Sequence, residues 1–438
     1  MSLAERDQNV IWHPYTQMKT AALPIPIVRG EEALLFAENG KSYIDAVASW
    51  WVNLHGHAHP YIAQKVAEQL RTLEHVIFAG FTHPAAVTFA ERLLQILPQG
   101  QSRIFYSDNG STAVEVALKM AIQYWQNKGI PKRKIIAFRD SYHGDTFGAM
   151  AVSARSAFTA PFWSYLFEVC FIDVPIPGQE EETVKQLEAY AHGGDIAAFI
   201  YEPLVLGTAG MVMYSPSKLD QLLSICQQHD ILTIADEVMT GFGRTGRTFA
   251  SDYLQRKPDM LTLSKGLTGG TMALGATSCN EKIYEAFLSD DKHKTLFHGH
   301  SYTGNPVACA AGLASMDLLL QDETQQHIAR ISQRHAAFAD QFRDKPKVLE
   351  ARQQGTILAV EFEADGTSYF NKLGDTLYSF ALEQGVILRP LGNIIYVIPP
   401  YCITDEQLDQ VYLTIAGMQE LITGQRYFDP PKQTTLHD

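Results

Sequence analysis

Short apolar runs alternate with stretches of helical periodicity through the middle of the chain, which predicts a parallel sheet covered by helices. Ile104-Phe105-Tyr106 reads as a strand, and Asn109-Gly110-Ser111-Thr112 opens a helix whose Ala113, Ala117, Met120, Ala121 and Tyr124 recur on one face. Gly129 and Pro131 end it. Further buried strands are predicted at 134–138, 196–201, 231–235 and 260–263, each leading into a polar or glycine-containing turn at a carboxyl edge. The texture changes near Asn305. Long helices at 306–320 and 324–342 precede strands near 356–363, 386–389 and 394–398, with helical patterns at 373–384 and 405–422: a smaller α+β unit. Residues 30–45 read as a hairpin that fits either unit.

Composition narrows the function classes. Of 438 residues, 46% are apolar and 19% charged, as in a folded globular chain. A net charge of −13 disfavours binding to nucleic acid or anionic membrane surfaces, both of which need clustered Lys and Arg. The five cysteines are odd in number and form no C-x-x-C pair, so free thiols in a reducing cytoplasm are expected. Residues 1–20 lack an apolar run of signal-peptide length, and no stretch reaches the ~18 apolar residues of a membrane span.

Four elements carry candidate chemistry. Met260-Leu261-Thr262-Leu263 ends in Ser264-Lys265-Gly266, where a desolvated amine could hold an aldehyde as an imine; an ordinary solvated loop lysine is the alternative. Ile231-Leu232-Thr233-Ile234-Ala235 ends in Asp236-Glu237, one strand upstream, so the two groups could meet over one sheet edge. An aspartate facing the nitrogen of a pyridoxal phosphate (PLP) ring keeps it protonated and makes the ring an electron sink. Gly110-Ser111-Thr112 offers backbone N–H groups and the positive end of a helix dipole to a phosphate, although plain N-capping by Asn109 or Ser111 reads equally well. Tyr142, in Tyr142-His143-Gly144, could stack on a planar cofactor or simply pack.

Together with Asp236-Glu237-Val238 and Gly241-Phe242-Gly243-Arg244-Thr245-Gly246, these motifs resemble the class III PLP aminotransferases in order and spacing, over nearly the whole chain. The resemblance implies an α/β enzyme of PLP fold-type I, with a mostly parallel sheet in a large PLP-binding domain (51–312) and a smaller α+β domain from both chain ends (1–50 plus 313–438). It implies pyridoxal 5'-phosphate as cofactor, Lys265 as the catalytic lysine, and Gly110, Ser111, Tyr142 and Asp236 as cofactor contacts. It further implies a homodimer with shared active sites, in which Ser301 of His298-Gly299-His300-Ser301 reaches the cofactor phosphate of the partner subunit.

The flanks resemble one branch of that family. Trp12-His13-Pro14-Tyr15-Thr16, Ser49-Trp50-Trp51, Gly269-Gly270-Thr271-Met272 and Arg389-Pro390 are similar to the branch that serves biotin biosynthesis, moving the amino group of S-adenosylmethionine to 8-amino-7-oxononanoate. Arg389 suits a carboxylate as a planar bidentate donor. Tyr15, Trp50, Trp51, Tyr142, Gly299 and Tyr396 are the other expected substrate contacts, aromatic faces suiting both an aliphatic chain and a sulfonium. On an extended strand Trp50 and Trp51 would point to opposite faces, so one of them could pack the core instead. Met239, Leu206 and His300 depart from the pattern, the first two standing where glutamines are frequent. They leave open a lysine-using version of the reaction or an ω-amino-acid or diamine transaminase. Two other classes fit less well. Gly241-x-Gly243-x-x-Gly246 matches the dinucleotide fingerprint, yet five residues separate it from its strand and no helix follows. His55, His57 and His59 alternate like metal ligands, but Gly56 and Pro60 interrupt the strand, and no metal is expected.

Overall fold

Three strands near the N-terminus, β1 (Ile27–Glu31), β2 (Leu34–Ala37) and β3 (Ser42–Asp45), form an antiparallel meander in the computed structural model, which describes residues 1–364 and 372–426. The single hairpin expected over 30–45 is therefore two. Glu32, at φ 51, makes the first reversal, and Gly40, at φ 83, sits in the second, where a left-handed residue is needed.

The central sheet has seven strands. They are β4 (Gln101–Ser107), β5 (Lys134–Phe138), β6 (Val169–Ile172), β7 (Ile196–Tyr201) and, after a short ribbon of β8 (Val205–Leu206) and β9 (Val212–Met213), β10 (Leu232–Asp236), β11 (Met260–Leu263) and β12 (Gly275–Asn280). Their order is β4-β12-β11-β10-β7-β5-β6. β12 alone runs opposite to the other six. Helices cover both faces, so the inner strands are buried along their whole length, β7 and β10 without exception. That is why they read as largely apolar runs. The expected strand 231–235 is shifted by one residue, bringing Asp236 into the last position of β10.

The C-terminal third adds β13 (Val348–Gln354), β14 (Ile357–Phe362), β15 (Val386–Ile387) and β16 (Ile394–Val397). β13, β14 and β16 form an antiparallel sheet, while β15 pairs in parallel with β3, Val386 opposite Ile44. The two ends of the chain thus share one sheet. The final stretch of the expected small domain, 427–438, lies outside the described residues. The helices Pro306–Leu319, Asp322–Phe342 and Asp405–Ile422 fall where the periodicity places them. No described helix is long and apolar enough to cross a membrane.

Candidate active site

A cavity of about 400 Å³ opens at the carboxyl edge of the central sheet, walled by Asp236 from β10, Lys265 from just beyond β11, the start of helix Gly110–Asn127 and the turn carrying Trp51. Adjacent parallel strands explain why Asp236 and Lys265 meet, since their tips emerge side by side (Asp236 opposite Thr262). Asp236 is 5% exposed and fixed on three sides. Its carboxylate accepts from the Val238 backbone N–H (3.1 Å), the Thr262 hydroxyl (3.1 Å) and Nδ1–H of His143 (2.7 Å). The other ring nitrogen of His143 is buried with no partner among the described residues. The sequence reading did not single out His143; its only signal was its place between Tyr142 and Gly144.

Lys265 occupies the left-handed region at φ 50, a conformation that in a non-glycine residue is worth about 1–3 kcal/mol of strain and recurs at functional sites. The glycine pair after it lets the chain fold back. A Cβ on Gly270 would lie 2.8 Å from the Val52 carbonyl carbon, and one on Gly269 2.9 Å from the Ser315 hydroxyl. Burial lowers the Lys265 amine to about 8; Asp236 and Glu202 partly oppose the shift, and Arg244 adds to it. The amine stands 4.6 Å from the centre of the Trp51 ring. Because its pKa falls from 10.5, a larger share is uncharged and nucleophilic at neutral pH. The rate at which cofactor-free protein captures an aldehyde should rise with pH through about 8; a midpoint near 10 would show a solvated amine.

The opposite wall is built on the helix start. Asn109 caps it in a reciprocal pair with Thr112, so the N-capping alternative is correct for Asn109. Gly110 and Ser111 remain at the cavity wall, with the dipole of an 18-residue helix behind them. A Cβ on Gly110 would come within 2.8 Å of Val238. Gly144, at φ 130, presses its loop against Ser111, whose hydroxyl accepts from the Asp145 backbone (3.1 Å). This places Tyr142, half-buried, on the cavity wall. Its backbone N–H donates to Glu202 (2.9 Å), whose second oxygen accepts from Gly207 (2.9 Å). Burial raises that carboxyl to about 7. Glu202 lies 60 residues from Tyr142 in sequence, and nothing local marked it.

Trp50 and Trp51 do not lie on an extended strand. Ala48–Trp51 is a kinked turn with Ala48, Ser49 and Trp51 all at positive φ, and it aims both indoles toward this side of the fold. Trp51 is 4% exposed, lines the cavity and meets buried Tyr396 edge-on at 5.8 Å. Tyr396 is thus a support of the wall. Trp50 carries the Arg389 guanidinium over its ring at 4.5 Å and the Tyr15 ring at 5.4 Å. Among the described residues no carboxylate pairs with Arg389. Tyr15 donates its hydroxyl to Asp145, with the Tyr142 hydroxyl 3.4 Å away. Met239 lines the cavity and Leu206 is fully buried. Gly299 and Ser301 sit in an exposed loop away from this chain's cavity, the Ser301 carbonyl accepting from His75 (2.5 Å). Of the three histidines, His57 turns away to bond Asp45 (2.9 Å), while His55 bonds Ser315 (3.0 Å) and lies edge-on to His59, ring centres 6.4 Å apart. The Gly241–Gly246 segment is a loop whose Gly246 N–H donates to the Gly243 carbonyl (3.0 Å), with Arg244 buried in it.

A lowered amine at one side, an immobilised carboxylate at the other, a helix start and an aromatic wall together suit a flat, anionic, aldehyde-bearing heterocycle. Comparison with known proteins agrees. The family model for aminotransferase class III matches residues 15–418. The chain is 46% identical to the adenosylmethionine-8-amino-7-oxononanoate aminotransferase of Synechococcus elongatus, covering 94% of this chain and 99% of the relative. It is 39% identical to the protein of the same name from Geobacter sulfurreducens, over 97% and 98%. Among solved structures, the enzyme of that name from Methanocaldococcus jannaschii superposes with a TM-score of 0.90 at 33% identity, covering 96% of this chain and 98% of that one. An omega transaminase from Pseudomonas jessenii in complex with PMP gives 0.88 at 27%, covering 97% and 99%.

Proposed function

The chain belongs to the class III aminotransferases, and from that membership we propose that it transfers the amino group of S-adenosylmethionine to 8-amino-7-oxononanoate, giving 7,8-diaminononanoate for biotin biosynthesis. The observation that carries the specific reading is the pairing of Arg389 with Trp50, the neighbour of cavity-lining Trp51, a cation on an aromatic face with no carboxylate of its own chain beside it among the described residues. A nonanoate substrate brings a carboxylate to the first and an aliphatic chain to the second.

The family depends on pyridoxal 5'-phosphate, and the cavity fits it. The fit rests on the orphaned imidazole nitrogen behind Asp236, the half-buried Lys265 and the open helix start at Gly110. When bound, this cofactor supplies an aldehyde that carries the amino group and a ring that stores electrons. Gly110 and Ser111 would hold its phosphate, Tyr142 its face, and Asp236 a proton at its ring nitrogen. Lys265 Nζ would bond the aldehyde carbon, yield that position to the donor amine, and then take and return the proton at the donor's reacting carbon. Trp51 and Tyr396 keep water from the amine, while Tyr15 and Trp50 wall the substrate channel. The loop of Gly299 and Ser301 is exposed, which supports a homodimer in which each copy lends this loop to the other's site. We assign residues 51–312 to the PLP-binding domain and 1–50 with 313–438 to the small one, in a cytoplasmic enzyme.

The test is a panel of amino donors (S-adenosylmethionine, lysine, glutamate) with 8-amino-7-oxononanoate, following the diamine. Turnover with S-adenosylmethionine alone supports the proposal; turnover with lysine alone moves the chain to the lysine-using variant of the reaction. Arg389→Ala should weaken use of the keto acid by about 2–5 kcal/mol, the usual effect of truncating one partner of a desolvated charge pair. Unchanged kinetics would remove Arg389 from the site.

A further inference from the structure

The turn that carries both indoles is strained, and one buried carboxylate holds it. Ala48 (φ 47), Ser49 (φ 59) and Trp51 (φ 67) are three left-handed non-glycine residues within four positions, a conformation that persists only where its surroundings over-determine it. Asp45, fully buried at the end of β3, supplies that determination. One carboxylate oxygen accepts the backbone N–H groups of Val47 (3.3 Å) and Ser49 (3.0 Å). The other accepts the Ser49 hydroxyl (2.9 Å) and Nε2–H of His57 (2.9 Å). The network fixes the tautomer. Asn53 donates its amide to His57 Nδ1 (3.3 Å), leaving the ring proton on Nε2 for Asp45, while Asn53 Oδ1 accepts from Gly56 (2.7 Å). His57 is itself seated by backbone bonds to Glu32 in both directions, against Gly30, where a Cβ would meet the histidine at 2.6 Å. The chain entering the turn and the chain leaving it are thus tied by one closed circuit of hydrogen bonds.

We infer that Asp45 and His57 are a positioning pair that locks this turn, and through it sets Trp50 against Arg389 and Trp51 against Lys265. The pair touches neither the cavity nor a reactant. It acts on substrate recognition by holding both indoles in register with the two cationic side chains they face, 4.5 and 4.6 Å away. The inference rests on the reading above that Trp50 and Arg389 receive the keto acid. It adds that the specificity of that end is set from behind by a carboxylate–imidazole pair.

The experiment compares holoenzymes carrying Asp45→Ala, His57→Gln and the double change Asp45→Ala with Ser49→Gly. Asp45→Ala should raise KM for 8-amino-7-oxononanoate about tenfold, the order expected when a buried multi-bonded acceptor is lost, with kcat falling less than about threefold. The near-ultraviolet circular dichroism of the tryptophans should change with it. Glycine adopts positive φ freely, so Ser49→Gly should recover part of the lost KM, a rescue that a general loss of stability would not give. If Asp45→Ala does not fold, His57→Gln, which leaves the carboxylate's backbone bonds in place, should still raise KM about threefold. Unchanged KM with an unchanged tryptophan spectrum overturns the inference, as does a loss of kcat at constant KM. The proposed acceptor fails separately: Arg389→Ala without effect on KM would discredit the acceptor site, while the tryptophan spectrum of Asp45→Ala would still report the lock.

Discussion

Replacing Lys265 with alanine should lower turnover by at least about 10⁴-fold, because it removes in one step the amine that bonds the aldehyde and the group that moves the proton. The fold should survive. Lys265 is held at φ 50 with its amine lowered to about 8 by burial, so the folded chain carries a penalty for this side chain that alanine relieves in part. The sign follows from linkage. The folded state releases its proton at about 8 and the unfolded state at 10.5, so the unfolded chain binds more protons between those values. The penalty is complete below pH 8 and fades as pH rises to 10.5. Cofactor-free Lys265→Ala should therefore melt no lower than cofactor-free wild type at pH 7, with the gap closing above pH 8. An inactive variant that also melts well below wild type would mean that Lys265 is structural.

Asp236→Ala should reduce turnover about a thousandfold, corresponding to about 4 kcal/mol for a charge pair at 4 Å in a partly screened site. Substitution also leaves His143 Nδ1, the Thr262 hydroxyl and the Val238 N–H without their shared acceptor, so a modest drop in melting temperature will accompany the loss. The two effects separate with a cofactor analogue methylated at the ring nitrogen, whose charge is permanent. It should restore a substantial part of the activity of Asp236→Ala and none of its stability. Failure to restore activity would show that the carboxylate does not act on that nitrogen.

Much of the site was legible because its two chief groups follow fully buried strands. Such strands read as largely apolar runs, broken here only by Thr233 and Thr262, and the polar residues that end each run, Asp236 or Ser264-Lys265, mark the sheet edge. Parallel pairing of consecutive strands then brings the two tips together without further information. Strand β12 escaped notice for the opposite reason. Gly-Ala-Thr-Ser-Cys-Asn has no apolar alternation and only Thr277 as a β-branched residue, and it is a strand because it is hydrogen-bonded between β11 and β4. Glu202 and His143 were invisible because their roles arise only when β7 and the loop after β5 converge on Tyr142 and Asp236. The turn at Trp50 and Trp51 defeats local reasoning altogether. Its backbone goes against the intrinsic preference of each residue and is stabilised by Asp45 and His57, which no periodicity connects to it.

The central claim is that Lys265 is the side chain bonded to the cofactor aldehyde. Borohydride reduction of the holoenzyme, followed by proteolysis and peptide mass analysis, tests it directly. The account predicts a single pyridoxyl-labelled lysine, in the peptide containing Ser264-Lys265-Gly266. A label on any other lysine, or none in protein saturated with pyridoxal 5'-phosphate, would contradict it.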